Sequence, residues 1–323
     1  MISAVTAAEG AMLDRVLDAA CRISRGVLDP RSYGKFHEAR MKTSWGSRHQ
    51  QRFALVEGDD ILASAERYDL SGVLDGRPVR VCGIGSVVTE PSQRGHGHPR
   101  RLVEELVHDA EREGAEVALL FPPVDVDEDV RRGFQPMSLT DLSLVVTESS
   151  RHGAPMATVR GGEERDLAAI VAMGRVRAEP FRFHLERDVD FLQYVITTRR
   201  LLAGLGPPHA RTLQFFIAEE GITAAAYVVI SVVGETWTVE EGGDRDPSGA
   251  RVGALLQALI AREPGEQRPT IRAWLPPRFL PPQLAIASAA PSMDTIWIRP
   301  LGAPTMGLSR SADDVLYWRN DIL

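Results

Sequence analysis

Residues able to grip an anion are gathered in one stretch of this sequence, Arg94-Gly95-His96-Gly97-His98-Pro99-Arg100-Arg101. Arg94, Arg100 and Arg101, with His96 and His98, concentrate positive charge in a chain whose formal net charge is -7. Arginine matches phosphate oxygens in bidentate geometry. Gly95 and Gly97 let backbone approach a ligand with no Cβ in the way. The stretch follows a Val- and Ile-rich strand, Val79–Val88, and a loop, Thr89–Gly97, and it opens an amphipathic helix. Free N–H groups and the positive dipole end of such a helix suit a phosphate. Two glycines also fit a plain strand-to-helix turn; the strand, the helix and the arginines weigh towards the anion. No Gly-Lys-Ser/Thr follows, so this is not a Walker loop. Gly-x-Gly-x-x-Gly is absent and a meander precedes, which excludes a dinucleotide fingerprint.

Other candidates carry less. His96 and His98 alternate but have no third ligand nearby, so no metal is expected. Glu240 and Glu241 end a strand before Gly242-Gly243 and could form a general-base pair; carboxylates are mostly exposed, so they are read as solvated loop charges. The loop Gly242–Gly249 stands where a second anion loop would be, but Asp244 and Asp246 oppose an anion there. Cys21 and Cys82 have neither a CxxC partner nor a metal-ligand spacing and read as buried small hydrophobes.

The elements that must position the loop are legible as patterns. Gly10–Arg25 carries Met12, Val16, Leu17, Ala20 and Ile23 at helical spacing, and Arg31–Lys42 is a second helix. Arg52–Val56 and Ile61–Leu70 read as strands around the turn Glu57-Gly58-Asp59-Asp60. After Val79–Val88 and the loop, Leu102, Val103, Leu106, Val107 and Ala110 share one helix face, ended by Gly114. Val117–Phe121 is a short buried strand stopped by Pro122-Pro123, and Leu139–Val146 is a last strand. A meander passing into a βαβ unit predicts a mixed α/β sheet. The pattern then recurs: strand Ala157–Arg160, helices Glu163–Ala178 and Arg187–Leu202, hairpin Leu213–Glu219 with Ile222–Val233, strand Thr236–Glu240, helix Ala250–Arg262, strand Thr270–Leu275. The expected division is a first domain over 1–147, a linker over 148–155 and a degenerate copy with a C-terminal tail over 156–323.

The 323 residues, 44% hydrophobic and 25% charged, suit a two-domain globular protein. A general nucleic-acid binder would more often be basic, so no nucleic-acid partner is expected. The longest apolar run, Ile222–Val233, is too short to span a bilayer. Residues 1–14 show no basic region followed by an apolar one, and the expectation is a reduced, cytoplasmic protein without membrane attachment.

The loop resembles the pyrophosphate loop of the GNAT superfamily of N-acetyltransferases, Arg/Gln-x-x-Gly-x-Gly/Ala. The context is similar over residues 1–147: two helices, a hairpin, a long strand, the loop, a helix, a strand and Gly133-Phe134. The second half and tail resemble tandem-domain members, the enhanced-intracellular-survival acetyltransferases. The resemblance implies that acetyl-CoA is the cosubstrate. Val87, Val88 and Thr89 would line its pantetheine arm. Arg94, Gly95, His96, Gly97, His98 and Arg100 would wrap the pyrophosphate, and Phe121 and Pro122 would border the thioester. Two positions depart from the pattern. Pro99 replaces Gly or Ala and removes one N–H. Asp129 stands where many members have a tyrosine acid, and an ionised aspartate donates no proton. The tail stays apolar to Leu323, so it should dock; in that type the terminal carboxylate, here of Leu323, serves as base. The expected reaction is acetyl transfer to a primary amine of a small molecule or a protein. The alternative is an acyl-CoA-binding protein with little or no turnover.

Overall fold

The computed structural model describes residues 3–23, 28–121, 128–137, 139–147, 157–207, 210–264, 268–292, 295–302 and 314–321. Its strands are β1 (Ala4–Ala7), β2 (Gln50–Glu57), β3 (Asp60–Leu74), β4 (Arg77–Thr89), β5 (Val117–Leu120), β6 (Gln135–Pro136), β7 (Thr140–Val146) and β8 (Thr158–Gly161). They continue as β9 (Phe183–Leu185), β10 (Thr212–Glu220), β11 (Thr223–Val233), β12 (Thr236–Asp244), β13 (Thr270–Ala273), β14 (Leu284–Pro291), β15 (Trp297–Pro300) and β16 (Val315–Leu316). The helices are α1 (Gly10–Ile23), α2 (Pro30–Met41), α3 (Gly46–His49), α4 (His98–Arg112), α5 (Leu167–Ala178), α6 (Val189–Leu205) and α7 (Ala250–Ile260). No helix among the described residues is long and apolar enough to cross a membrane.

The chain forms two compact units, each a mixed α/β structure. Unit 1 takes Met1–Ser138, Asp294–Asp314 and Ile322–Leu323; unit 2 takes Leu139–Met293 and Val315–Asp321. In unit 1 the strands lie in the order β1-β2-β3-β4-β5-β15-β6. β1 to β4 form an antiparallel meander, whose β3–β4 turn is Asp75-Gly76, both at positive φ. β5 then joins β4 in parallel, with α4 as the crossover. Leu102, Val103, Leu106, Val107 and Ala110 of α4 pack on Ala63, Ala65, Cys82 and Ile84 of the sheet. Burying five such side chains is worth several kcal/mol and fixes the helix that begins at the glycine loop.

In unit 2 the strands lie in the order β14-β7-β13-β12-β11-β10-β8. From β8 the elements repeat those of unit 1: a strand, two helices, a three-strand meander, a crossover helix (α7) and a parallel strand, β13 beside β12. Two irregularities recur as well. β4 and β12 each carry one extra residue against the preceding strand, with Ser86-Val87 opposite Ala65 and Glu240 unpaired between Val239 and Glu241. Gly97 before α4 and Gly249 before α7 are both left-handed N-caps, at φ 74 and 72. Shared bulges and caps support the internal repeat far better than element order alone.

Three expectations change. β1 has no counterpart among the sequence-predicted elements, and neither do β14 and β15. The strand expected to close the first domain, Leu139–Val146, instead pairs as β7 with β13 and β14 of unit 2, while β15 sits between β5 and β6 of unit 1. The boundary drawn at residue 147 therefore falls between β7 and β8 and leaves β15 in the wrong half. Alternation marks a segment as a strand but does not say which edge it joins. The expected linker, 148–155, lies outside the described residues.

Candidate active site

Among the described residues the last hydrogen bond between the β4 and β5 backbones is Phe121 N–H to Ile84 O (2.8 Å), and β4 runs on through Thr89. A short turn, Pro91–Gln93, then leads to Gly95 and Gly97, at φ 80 and 74. Left-handed backbone is nearly free for glycine and costs other residues roughly 1 kcal/mol. A Cβ at either position would meet nothing within 4 Å, so these glycines border open space and are required by conformation alone.

The N-terminus of α4 is uncapped by any side chain, and its first internal bond is Arg101 N–H to Gly97 O (3.1 Å). The N–H groups of His98 and Arg100 are thus left for a ligand, and Pro99, buried in the first turn, has none. Arg94 is exposed and Arg100 half-buried; neither has a hydrogen bond or ion pair among the described residues. Arg101, by contrast, is bound to Glu105 (2.7 Å) and Ser3. The His96 and His98 rings stack at 5.7 Å. Burial, helped by His96, moves the His98 pKa down, favouring a neutral ring that can accept as well as donate. Among the described residues no group of three or more His, Cys, Asp or Glu could hold a metal.

The predicted residues divide as follows. Thr89, Arg94, Gly95, His96, Gly97, His98 and Arg100 stand along β4's end, the loop and the head of α4. The Val87 side chain is in the α4 core and Val88 packs on Ala19 and Ala20, so at Val87 only backbone faces a ligand. Phe121 is buried and meets Tyr68 edge-to-face at 5.9 Å. Pro122 and Leu323 lie outside the described residues. Asp129 lies in the turn Glu128–Arg131, its side chain undescribed.

Sequence reading missed a buried cluster on the opposite face of the sheet from α4. Glu66, 1% exposed, sits among five donors. Arg52 Nη2 is 2.8 Å and Gln50 Nε2 2.9 Å from its Oε1; Tyr68 Oη is 2.6 Å, Ser86 Oγ 3.2 Å and Arg40 Nη1 3.5 Å from its Oε2. Burial pushes the Glu66 carboxyl up, and Arg52, Arg40, His37 and Tyr68 together hold it well below its ordinary value of 4.5. The alternation that hid it is real, but in sequence Glu66 is simply a polar residue in a strand.

A carboxyl depressed in the fold adds stability that is full above its unfolded pKa and is lost as pH falls through the folded one. Unit 1 should therefore keep this contribution above about pH 4.5 and lose it progressively below. Glu66→Gln, which leaves Arg52 buried opposite a neutral group, should cost roughly 3–5 kcal/mol at pH 7. It should also flatten the acid limb of melting temperature against pH. An unchanged acid limb would mean that Glu66 is not ionised in the fold.

The corresponding loop of unit 2 is built to hold its own anion. Asp244 is buried, and its carboxylate accepts from Arg251 N–H (2.7 Å) and Val252 N–H (3.4 Å) at the head of α7, and from Arg251 Nη1 (3.2 Å). A carboxylate of the chain thus occupies the position of a phosphate. β12 also runs further than expected, through Asp244, and Glu240 and Glu241 are 5% and 1% exposed rather than solvated. Gly243 is needed because a Cβ would stand 2.4 Å from the Tyr227 ring.

Glu241 belongs to a second ionic cluster with the C-terminal segment. Arg187 Nη2 lies 2.5 Å from Glu241 and its Nε 3.1 Å from Asp321. Tyr227 and Asn320 donate to Glu241, the latter at 3.0 Å. Tyr317 and Trp318 are buried and β16 pairs with β9, so the tail docks on unit 2 as far as Asp321.

Residues 22–136 match the family of acetyltransferase (GNAT) domains. No curated protein matches the chain by sequence. The structure is similar to a GCN5-related N-acetyltransferase from Kribbella flavida at 18% identity and TM-score 0.67, covering 93% of this chain and 71% of that one. It is similar to Eis1 from Mycobacterium abscessus at 14% identity and TM-score 0.57, covering 93% and 74%. It is also similar to Saccharomyces cerevisiae N-myristoyltransferase with bound myristoyl-CoA, at 9% identity and TM-score 0.51, covering 80% and 71%. These likenesses establish the fold, residues 22–136 match an acetyltransferase (GNAT) domain, and unit 2 repeats the element order of unit 1.

Proposed function

We propose that unit 1 binds acetyl-CoA and transfers its acetyl group to a primary amine, on a small molecule or a protein. The observation that carries this is the uncapped head of α4 behind two left-handed glycines, with Arg94 and Arg100 unengaged among the described residues. The pyrophosphate would take the N–H groups of His98 and Arg100 and the two guanidinium groups. The pantetheine arm would follow the edge of β4 beyond Ile84, past its last described bond to the β5 side. The neutral amine attacks the thioester carbonyl, the C–N bond forms and the C–S bond breaks; the proton lost from nitrogen passes to a base or to water, and CoA leaves as a thiolate. With a thiol pKa near 8.5 that leaving group needs little help, so an acid at the Asp129 position would add about 10²-fold at most. Backbone N–H groups of the β4 bulge would meet the developing oxyanion.

A second reading, an acyl-CoA-binding protein with little turnover, is favoured by Pro99, whose missing N–H forfeits about 1.5–3 kcal/mol of phosphate binding. One titration calorimetry series with acetyl-CoA, joined to thiol release over a panel of primary amines, separates the two. Acetyl-CoA at about 100 times its Kd should stabilise the chain by about 2.7 kcal/mol. The expected stoichiometry is one per chain, because Asp244 fills the second loop. A melting temperature unmoved by millimolar acetyl-CoA refutes both readings, and binding without thiol release favours the second.

A further inference from the structure

Along β4, Cys82 and Ile84 point into the core beneath α4. Strict alternation would send Ser86 and Val88 the same way. Instead Val87 joins that core, and Val88 packs on the other face against Ala19, Ala20 and the neighbouring Tyr33. The change of face happens at Ser86, whose φ is 49, a left-handed value that serine adopts at a cost of roughly 1 kcal/mol. Its Oγ turns to the α1–α2 face and donates to Glu66 Oε2 at 3.2 Å. Glu66 itself cannot yield, because Arg52, Gln50, Tyr68 and Arg40 hold both of its oxygens. The bulge therefore hangs on a buried carboxylate fixed from α2, β2 and β3, and it lies two residues past Ile84, the last β4 residue bonded to the β5 side among the described residues.

We propose that Glu66 is a positioning residue for acyl transfer: through Ser86 it holds the β4 bulge in the register that turns the Ser86–Thr89 backbone towards the thioester. The inference rests on the reading of unit 1 as an acetyl-CoA-dependent transferase. Glu66 touches no reacting atom; it acts by fixing the strand that does. The phosphate-binding loop lies beyond Thr89 and does not depend on this bond, so CoA affinity and turnover should separate.

The test compares Ser86→Ala with Ser86→Asn in the full chain. Alanine loses the hydrogen bond and disfavours left-handed backbone. Asparagine is well suited to that backbone and offers an amide N–H to Glu66. Three quantities are read: acetyl-CoA Kd by calorimetry, kcat for thiol release with a primary amine, and amide hydrogen exchange of the peptide covering residues 82–90. Ser86→Ala should lower kcat about 10- to 100-fold, in line with an ångström-scale misplacement, leave Kd within about threefold, and speed exchange in that peptide. Ser86→Asn should recover most of kcat and of the protection. An alanine variant with native kcat and native exchange overturns the proposal, as does an asparagine variant no better than alanine. A native chain that binds no acetyl-CoA overturns the transferase reading instead, and the exchange comparison then decides alone whether Glu66 holds the bulge.

Discussion

Gly97→Asp should abolish acetyl-CoA binding while leaving the chain folded. Gly97 is left-handed at φ 74, a conformation that aspartate and asparagine tolerate better than most residues, so strain should cost about 1 kcal/mol or less. A Cβ there meets no neighbour within 4 Å. The new carboxylate would sit at the head of α4 among the donors proposed for the pyrophosphate, and would itself be stabilised by them. Losing two charge-assisted hydrogen bonds at about 1.5–3 kcal/mol each, with added repulsion, predicts at least a 10²-fold rise in Kd. Gly97→Asn is the control, carrying the same backbone tolerance without the charge, and should weaken binding about tenfold or less. Calorimetry on both variants, beside their melting temperatures, decides the matter. Near-native affinity in Gly97→Asp would remove this loop as the pyrophosphate site.

Arg187→Met should be the most destabilising single change in unit 2. Arg187 lies between Glu241 and Asp321; both carboxylates are buried, and the Arg187 side chain is 13% exposed. Removing the cation leaves two uncompensated carboxylates, at a cost of roughly 3–5 kcal/mol. For a domain of this size that is a fall of roughly 6 to 20 °C in melting temperature. The two acids are not equivalent. Burial pushes Glu241 up, but Arg187 and its hydrogen-bond donors hold it below its ordinary value. Asp321 is raised, first by burial, and Glu241 adds to this. A raised carboxyl contributes fully below its unfolded value of 3.8 and loses that contribution as pH rises through the folded one. At pH 7, then, Asp321→Asn should be close to neutral or stabilising, whereas Glu241→Gln should destabilise. The triple change Arg187→Met, Glu241→Gln, Asp321→Asn should recover more than half of the loss seen in Arg187→Met. A melting temperature within about 2 °C of native in Arg187→Met would show that the cluster holds nothing together.

The sequence carried the site's frame because the frame is local. Strand, glycines, arginines and helix follow one another from Val79 to Gly114, and each leaves a pattern within a few residues. The repeat was visible for the same reason. What escaped depends on distant residues. Glu66 draws Arg40, Arg52, Tyr68 and Ser86 from four elements, and no spacing marks that convergence. Glu240 and Glu241 looked solvated because carboxylates are so seldom buried, and the partners of Glu241 include Arg187 and Asn320, far away along the chain, while Arg199 lies 3.9 Å from Glu240. The partner of a strand is likewise a global choice, which is why Leu139–Val146 was legible as a strand and misplaced as a neighbour.

The exchange of β7 and β15 between the halves bears on how the chain can be made and cut. As the polypeptide leaves the ribosome, β5 appears at residues 117–120, but its partner β15 comes only at 297–300, after nearly all of unit 2. Until then β5, Val117-Ala118-Leu119-Leu120, presents an unpaired apolar edge, the kind that recruits other strands. The sheet of the first unit to be synthesised is thus completed only after most of unit 2 has been made, and the long separation between its partners slows that step. A fragment ending near residue 138 would keep the whole glycine loop and still lack the strand that seals its sheet. Co-expressing it with the remainder, rather than purifying it alone, is the way to recover unit 1 with its sheet complete.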